Sequence, residues 1–228
     1  MQKLDSDRSA WPIFGANVGT IVIAIWQDWG LIHLLWPFWI QSVIIGVFAR
    51  KRMLVLKDFC VEGFKVNNVT PEATPKTARN TANFFAIHYG IFHLGYLVFL
   101  LTFTSTVDSA GYIEVTNSNT GKVSSVYIGI VHSIDLLYFA GIGISFWFSH
   151  RASSREHIRK DLKRKPNLGS LMMLPYARII PMHLTLIFGL ILGGKGASVV
   201  LFGSLKAGAD ILMHKVEHRW LQKEQRET

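Results

Sequence analysis

The chain has 228 residues, of which 50% are hydrophobic and only 17% are charged, whereas a soluble domain usually carries about a quarter charged residues. This deficit predicts a membrane protein, because hydrocarbon is then the main solvent of the surface. The net charge of +9 falls in loops between apolar segments and forms no nucleic-acid-binding motif, which argues against a nucleic-acid partner. The single cysteine, Cys60, excludes an internal disulfide and a Cys-based zinc finger.

Six apolar segments are long enough to cross a bilayer, which takes about 20 residues, or about 17 where the end residues reach the interface. The predicted spans are residues 11–26, 31–48, 84–103, 126–148, 176–192 and 197–214. No cleavage site follows the first span, so we expect it to remain as an anchor. The predicted fold class is all-α, a polytopic bundle of six transmembrane helices in a single domain, 1–228. In the fourth span, His132 and Asp135 are expected to form a separate polar pair.

Lysine and arginine predict the orientation, since they favour cytoplasmic loops. Basic residues concentrate in the loops after the second and fourth spans and in the C-terminal tail, whereas the opposite side carries Lys122 and Lys195. Both termini are therefore predicted to be cytoplasmic, and the loop 104–125 is predicted to face outward. In that loop, YIEV and KVSSV on either side of TNSNTG predict a short β-hairpin.

Ionisable side chains inside the spans are the main candidates for function, because each costs about 2.5 to 3.5 kcal/mol to insert. Under the six-span topology, four helices bring polar groups into the cytoplasmic leaflet. Imidazole and carboxylate together suit a divalent transition metal such as zinc, iron or copper. The candidate metal ligands are His88, His93, Asp210, His214 and His218, with Gln41, His183, Lys206 and Glu217 as polar neighbours.

Helical spacing limits which of these residues can share an ion. Asp210, His214 and His218 follow one another at four-residue spacing, so adjacent pairs lie on one face and can chelate one metal. His88 and His93 are about 140° apart on a helix, so one ion is not expected to bind both. One of the two is then a ligand, and the other is a hydrogen-bond partner or a packing residue.

Structural alternatives remain open for several of these residues. Asp210 can form an ion pair with Lys206 one turn away, without a metal. His218 and Glu217 can lie in the headgroup region as solvated interface residues. His183 follows a proline closely and can be a packing residue at a helix kink.

Three segments resemble a group of bacterial multi-pass membrane proteins that is known only as a domain of unknown function. They are WPFWIQSVIIGVFARKRM in the second span, FFAIHYGIFHLGYLVF in the third, and KAGADILMHKVEH at the end of the sixth. The H-Y-G-x-F-H motif and the closing D-x-x-x-H motif are the specific part, and the resemblance covers most of the chain. It implies a multi-pass protein of the bacterial cytoplasmic membrane. The family motif W-x-E-N reads Trp39-Ile40-Gln41-Ser42 here, so an amide replaces the carboxylate of relatives.

Three functions fit these observations. The first is a membrane protein, catalytic or not, that binds a divalent transition metal through the polar cluster. The second is an accessory or structural subunit of a larger membrane complex, in which the cluster fixes helix register. The expected partners are the lipid bilayer and either further copies of this chain or the subunits of such a complex. The third is a proton-coupled transporter, in which Lys206, Asp210 and the histidines relay protons.

Overall fold

The computed structural model of the protein describes residues 22, 24–27, 29–116, 120–180, 183–184 and 200–208, and these are mainly helical. The elements in chain order are α1 (Leu31–Leu54), α2 (Pro75–Thr106), β1 (Tyr112–Thr116), β2 (Val123–Tyr127), α3 (Ser133–Asp161), α4 (Leu168–Met173) and a 3₁₀ turn (Leu174–Arg178). Residues 24–26 and 200–208 are also helical. The predicted helical class is confirmed in this coarse form.

The second and third predicted spans fall within α1 and α2, which are both long and apolar enough to cross a membrane. The fourth predicted span corresponds to α3. This helix begins at Ser133 and not at the predicted residue 126, because Val126 and Tyr127 belong to β2. Apolar residues that alternate at the end of a strand are difficult to distinguish by hydropathy from the start of a helix. Most of the first, fifth and sixth predicted spans lies outside the described residues.

The chain forms two compact units. Unit 1 contains the described residues of Met1–Leu35, Phe103–Val131 and Ala177–Thr228, and unit 2 contains those of Trp36–Thr102 and His132–Tyr176.

The centre of unit 1 is an antiparallel hairpin of β1 and β2, which confirms the predicted hairpin. Its register runs from Tyr112 opposite Tyr127 to Thr116 opposite Val123. The Asp108 carboxylate accepts hydrogen bonds from the backbone N–H groups of Ala110 (2.9 Å) and Tyr112 (2.8 Å), which fixes the entry into β1. The small core under the hairpin consists of Ile113, Val126 and Ile128, packed against Phe103, Val107 and Val115.

The end of β2 contacts the beginning of α1 through backbone atoms. The carbonyl oxygen of Ile128 accepts a hydrogen bond from the Ile32 N–H (2.9 Å), one of the donors that the first turn of a helix leaves without an intrahelical partner. A Cβ on Gly30 would lie 2.2 Å from that oxygen, and Gly129 has a φ of +92°. Glycine is therefore required at both positions for this close approach.

In unit 2, the segments that follow α1 and α3 pack against each other. The Cys60 N–H donates to the Pro166 carbonyl (3.1 Å), and the Leu168 N–H donates to the Cys60 carbonyl (3.0 Å). The Asn167 side chain joins the two segments, because its amide nitrogen donates to the Glu62 carbonyl (2.8 Å) while its oxygen caps α4.

The last turns of α1 and α3 are joined by an ion pair between Arg52 and Asp161. The guanidinium donates two hydrogen bonds to the carboxylate, and the Asp161 side chain is only 9% exposed. This bidentate contact brings the C-terminal ends of the two helices to the same end of unit 2.

Replacing Asp161 by Asn should lower the free energy of unfolding by about 2 to 3 kcal/mol, because the half-buried Arg52 guanidinium loses its counter-charge. The matched control is Asp58→Asn, which breaks an ion pair to Lys165 whose side chains are 61% and 71% exposed. That change should cost less than about 0.5 kcal/mol. Denaturation of the purified variants measures both, and equal losses would contradict a special role for the Arg52 pair.

Candidate functional site

Helix α2 turns one polar and aromatic face toward α1. Its buried residues recur every three or four positions, as expected for a single helix face: Ala78, Thr81, Ala82, Phe85, Tyr89, His93, Tyr96 and Leu100. Tyr89 and His93 are one turn apart on this face, and Ser42 of α1 meets both. The Ser42 side chain and the imidazole are buried, with 3% and 6% exposure.

The hydrogen bonds of His93 determine which of its two ring nitrogens carries the proton in the neutral side chain. His93 Nδ1 lies 2.8 Å from the Tyr89 carbonyl oxygen, which only accepts, so Nδ1 carries the proton. In the neutral ring, Nε2 then accepts from the Ser42 hydroxyl at 2.9 Å. The Tyr89 hydroxyl donates to the Ser42 carbonyl (3.0 Å) and lies 2.8 Å from Ser42 Oγ. The Trp39 indole adds a bond to the His93 carbonyl (2.9 Å).

This network occupies both ring nitrogens of His93. The side chain therefore serves as the interhelical hydrogen-bond partner that the spacing argument left open for one of the two histidines. Ser42 and His93 have the separation of a nucleophile and its base, but Ser42 is buried between the two helices.

A glycine allows the two helices to approach closely at this point. A Cβ on Gly46 of α1 would lie 2.6 Å from Cε1 of the Tyr89 ring. The ring therefore packs directly on the α1 backbone, the kind of contact for which membrane helix pairs use small residues. This approach brings the Tyr89 hydroxyl within reach of Ser42.

His88 lies on a different side of α2 and is exposed. Its Nδ1 is 2.9 Å from the Tyr176 hydroxyl, and its ring stacks on Phe84 with a centroid separation of 5.4 Å and meets the edge of Phe92 at 5.1 Å. Nε2 has no hydrogen-bond partner in the part of the chain that the structure describes. A histidine with one nitrogen oriented by an oxygen and the other open has the arrangement found in metal ligands.

The sequence predicts His88 as a candidate metal ligand but does not predict Tyr176 as its partner. The tyrosine opens the predicted fifth span and lies far from His88 along the chain, so no spacing rule connects them. Tyr176 contacts both the exposed His88 and the buried face of α2, because its ring also meets Tyr89 at a centroid separation of 5.5 Å.

Three other candidate residues lie in the described part of the chain. Gln41 precedes Ser42 on α1 and is half-buried. His183 is exposed on a short helical piece, and Lys206 is half-buried in the helix 200–208, and each takes part in an interaction. The remaining candidates lie outside the described residues: Asp210, His214, Glu217 and His218.

No group of three or more His, Cys, Asp or Glu side chains within the described residues is arranged to hold a metal ion. His132 and Asp135 form the predicted separate pair, since the carboxylate accepts from the His132 N–H (2.7 Å) and lies 3.6 Å from Nδ1.

Comparison with known proteins confirms the family resemblance. The chain belongs to a family of unknown function (DUF6498), whose model matches residues 1–227. No curated protein and no solved structure matches the chain significantly.

The two histidines of the H-Y-G-x-F-H motif should respond differently to truncation. His93→Ala should lower the free energy of unfolding by about 2 to 4 kcal/mol, because it opens a cavity and removes the partner of the buried Ser42 hydroxyl. His88→Ala removes ring contacts and one exposed hydrogen bond to the Tyr176 hydroxyl, and it should cost about 1 kcal/mol or less. Thermal denaturation in detergent compares them, and equal destabilisation would mean that the His93 network contributes no more than surface packing.

Proposed function

We propose that this member of the family is an integral membrane protein with six spans and cytoplasmic termini, and that it binds a divalent transition metal through His88 on the cytoplasmic side. The arrangement of His88 is the observation that carries the metal assignment. The membrane assignment is supported separately, by the surface of the helices.

The surface of α2 and α3 is the first support. In the most apolar stretch of α2 only 28% of the residues are buried, whereas the core helix of a soluble protein is mostly buried. The exposed side chains of α2 include Ile87 (67%) and Ile91 (64%), and those of α3 include Leu137 (71%) and Phe148 (60%). Such a continuous apolar surface fits contact with lipid.

The position of the basic loops supports the orientation. The Arg52–Asp161 pair and the backbone bonds between Cys60 and Pro166 hold the segments after α1 and α3 at one end of unit 2. These segments carry most of the basic residues that the sequence analysis assigned to the cytoplasm. The positive-inside rule then favours the cytoplasm for this end.

The metal proposal rests on the different surroundings of the two motif histidines. His93 is engaged at both nitrogens, whereas His88 presents Nε2 and is held at Nδ1 by the Tyr176 hydroxyl. We infer that Asp210 and His214 supply further ligands, as their four-residue spacing permits. Gln41 can contribute at most a neutral amide oxygen, a weaker ligand than a carboxylate.

Proton-coupled transport receives less support. A proton relay needs donors and acceptors that can exchange roles along a path, whereas Tyr89 and His93 each donate a hydrogen bond to a carbonyl oxygen, which only accepts. The Tyr89 hydroxyl bonds to the Ser42 carbonyl, and His93 Nδ1 bonds to the Tyr89 carbonyl.

Cysteine labelling tests the topology. In a Cys60→Ser background, Ser124→Cys in the hairpin should react with a membrane-impermeant maleimide on intact cells. Ser153→Cys on α3 should react only after permeabilisation, because it faces the cytoplasm. Both positions are exposed, so both should react in detergent, which controls for accessibility. The reverse pattern on intact cells would contradict the orientation.

Metal content of the purified full-length protein tests the binding proposal. Wild type should retain a stoichiometric transition metal by elemental analysis, and His88→Ala and His214→Ala should lose it. Tyr176→Phe removes the hydroxyl that orients His88 and should weaken metal affinity about 10- to 100-fold. His132→Ala is the matched control, since His132 pairs with Asp135.

Two results would contradict metal binding. One is a folded wild-type protein that contains no metal and takes none up on addition. The other is a His88→Ala variant with unchanged content. Metal-free protein that co-purifies with a stoichiometric partner would favour the accessory-subunit function instead.

A further inference from the structure

The end of α3 and the residues that follow it carry a net positive charge. From residue 150 to residue 165 the chain has seven basic and two acidic residues. Asp161 is paired with Arg52, and Glu156 is paired with Arg159 (2.6 Å) and lies 3.7 Å from Lys160. The hydrogen bond from Arg159 lowers the pKa of Glu156 and keeps it charged. Arg151 and Arg155 are exposed, and neither has an acidic partner in the described part of the chain.

These two arginines continue the apolar surface of the same helix. Ile144, Phe148, Arg151 and Arg155 follow one another at spacings of four, three and four residues, so they form one stripe along α3. The first two side chains are 59% and 60% exposed. The surface therefore changes from apolar to cationic within one helical turn. Such a change on one stripe marks the passage from hydrocarbon to headgroups.

The depth of the arginines fits the phosphate layer. Arg151 is about 4.5 Å beyond Phe148 along the helix axis, and Arg155 is about 10 Å beyond it. The headgroup region of each leaflet is about 5 to 7 Å thick, and arginine side chains extend toward it. Trp147 is 42% exposed at the same level, and its ring packs against Phe48 of α1 (5.1 Å).

We propose that Arg151 and Arg155 bind the headgroups of anionic phospholipids in the cytoplasmic leaflet. The inference rests on the membrane insertion proposed above but not on the metal site. Guanidinium groups bind phosphate oxygens in a bidentate manner, and a pair one turn apart can hold one headgroup or two neighbouring ones. Arg159 contributes less, because Glu156 already neutralises it.

The test measures lipid preference of the full-length protein in bilayers. Brominated phosphatidylcholine or brominated phosphatidylglycerol quenches tryptophan fluorescence, and the two quenching curves give the relative association constant of the anionic lipid. Quenching by the phosphatidylcholine alone reports insertion, so a failure of the membrane proposal is recognised separately. Each arginine should contribute about fivefold, so the double variant Arg151→Gln/Arg155→Gln should lose about 25-fold of the preference.

Matched variants separate this site from general positive charge. Arg159→Gln removes the same charge from the same helix and should change the preference by less than about twofold, because the Arg159 guanidinium is already engaged by Glu156 and does not hold a headgroup. Glu156→Gln should raise the preference, since it frees Arg159. Raising the salt to about 1 M should reduce the wild-type preference. At matched ionic strength, inorganic phosphate should compete no better than chloride.

Three results would overturn the proposal. The first is an inserted wild-type protein with no preference for phosphatidylglycerol. The second is an Arg159→Gln loss as large as that of the double variant, which would indicate a diffuse field rather than a site. The third is strong competition by inorganic phosphate, which would make a free anion the ligand.

Discussion

A buried polar side chain on an apolar helix needs a hydrogen-bond partner for each of its polar atoms, and some of these partners must come from another helix. This requirement organises unit 2. His93 meets it with Ser42 of α1 and with the backbone of its own helix, and Tyr89 meets it with Ser42. Because every one of these bonds is short-range, the register and the separation of α1 and α2 are fixed together. In hydrocarbon, an unmade bond of this kind has no water to replace it.

Small and aromatic residues make that register possible. Gly46 allows the Tyr89 ring to reach the α1 backbone, and about two turns earlier on α1 the Trp39 indole donates a hydrogen bond to the His93 carbonyl. At the C-terminal end of α1, the pair between the half-buried Arg52 and the buried Asp161 joins α1 to α3. The helices of unit 2 are therefore held by a neutral network within the apolar segment and by a charged pair where the loops begin. A neutral network lies in the apolar segment and the charged pair lies near the loops, because burying a charge costs more free energy than burying a neutral polar group.

Local patterns in the sequence were sufficient to predict the helical class, two of the long helices and the hairpin, because each depends on neighbouring residues. The start of α3 was misplaced because Val126 and Tyr127 pair with β1 residues, a contact that hydropathy does not encode. The partners of the motif histidines were also not predictable. Ser42 and Tyr176 are distant from them along the chain, and only the packed helices bring them together.

The five-residue spacing of the two histidines explains why one short motif contains two different environments. A step of five residues turns the helix by about 140°, so a residue that points away from α1 is followed by one on the α1-facing side. The Nε2 lone pair of His93 therefore accepts a hydrogen bond from Ser42, whereas the Nε2 of the exposed His88 has no hydrogen-bond partner among the described residues and its Nδ1 lies beside the Tyr176 hydroxyl. Tyr176 contacts both His88 and Tyr89, so a displacement of either ring affects the other. Ring contacts through Tyr89 and Tyr176 therefore connect the buried histidine of the motif with the exposed one.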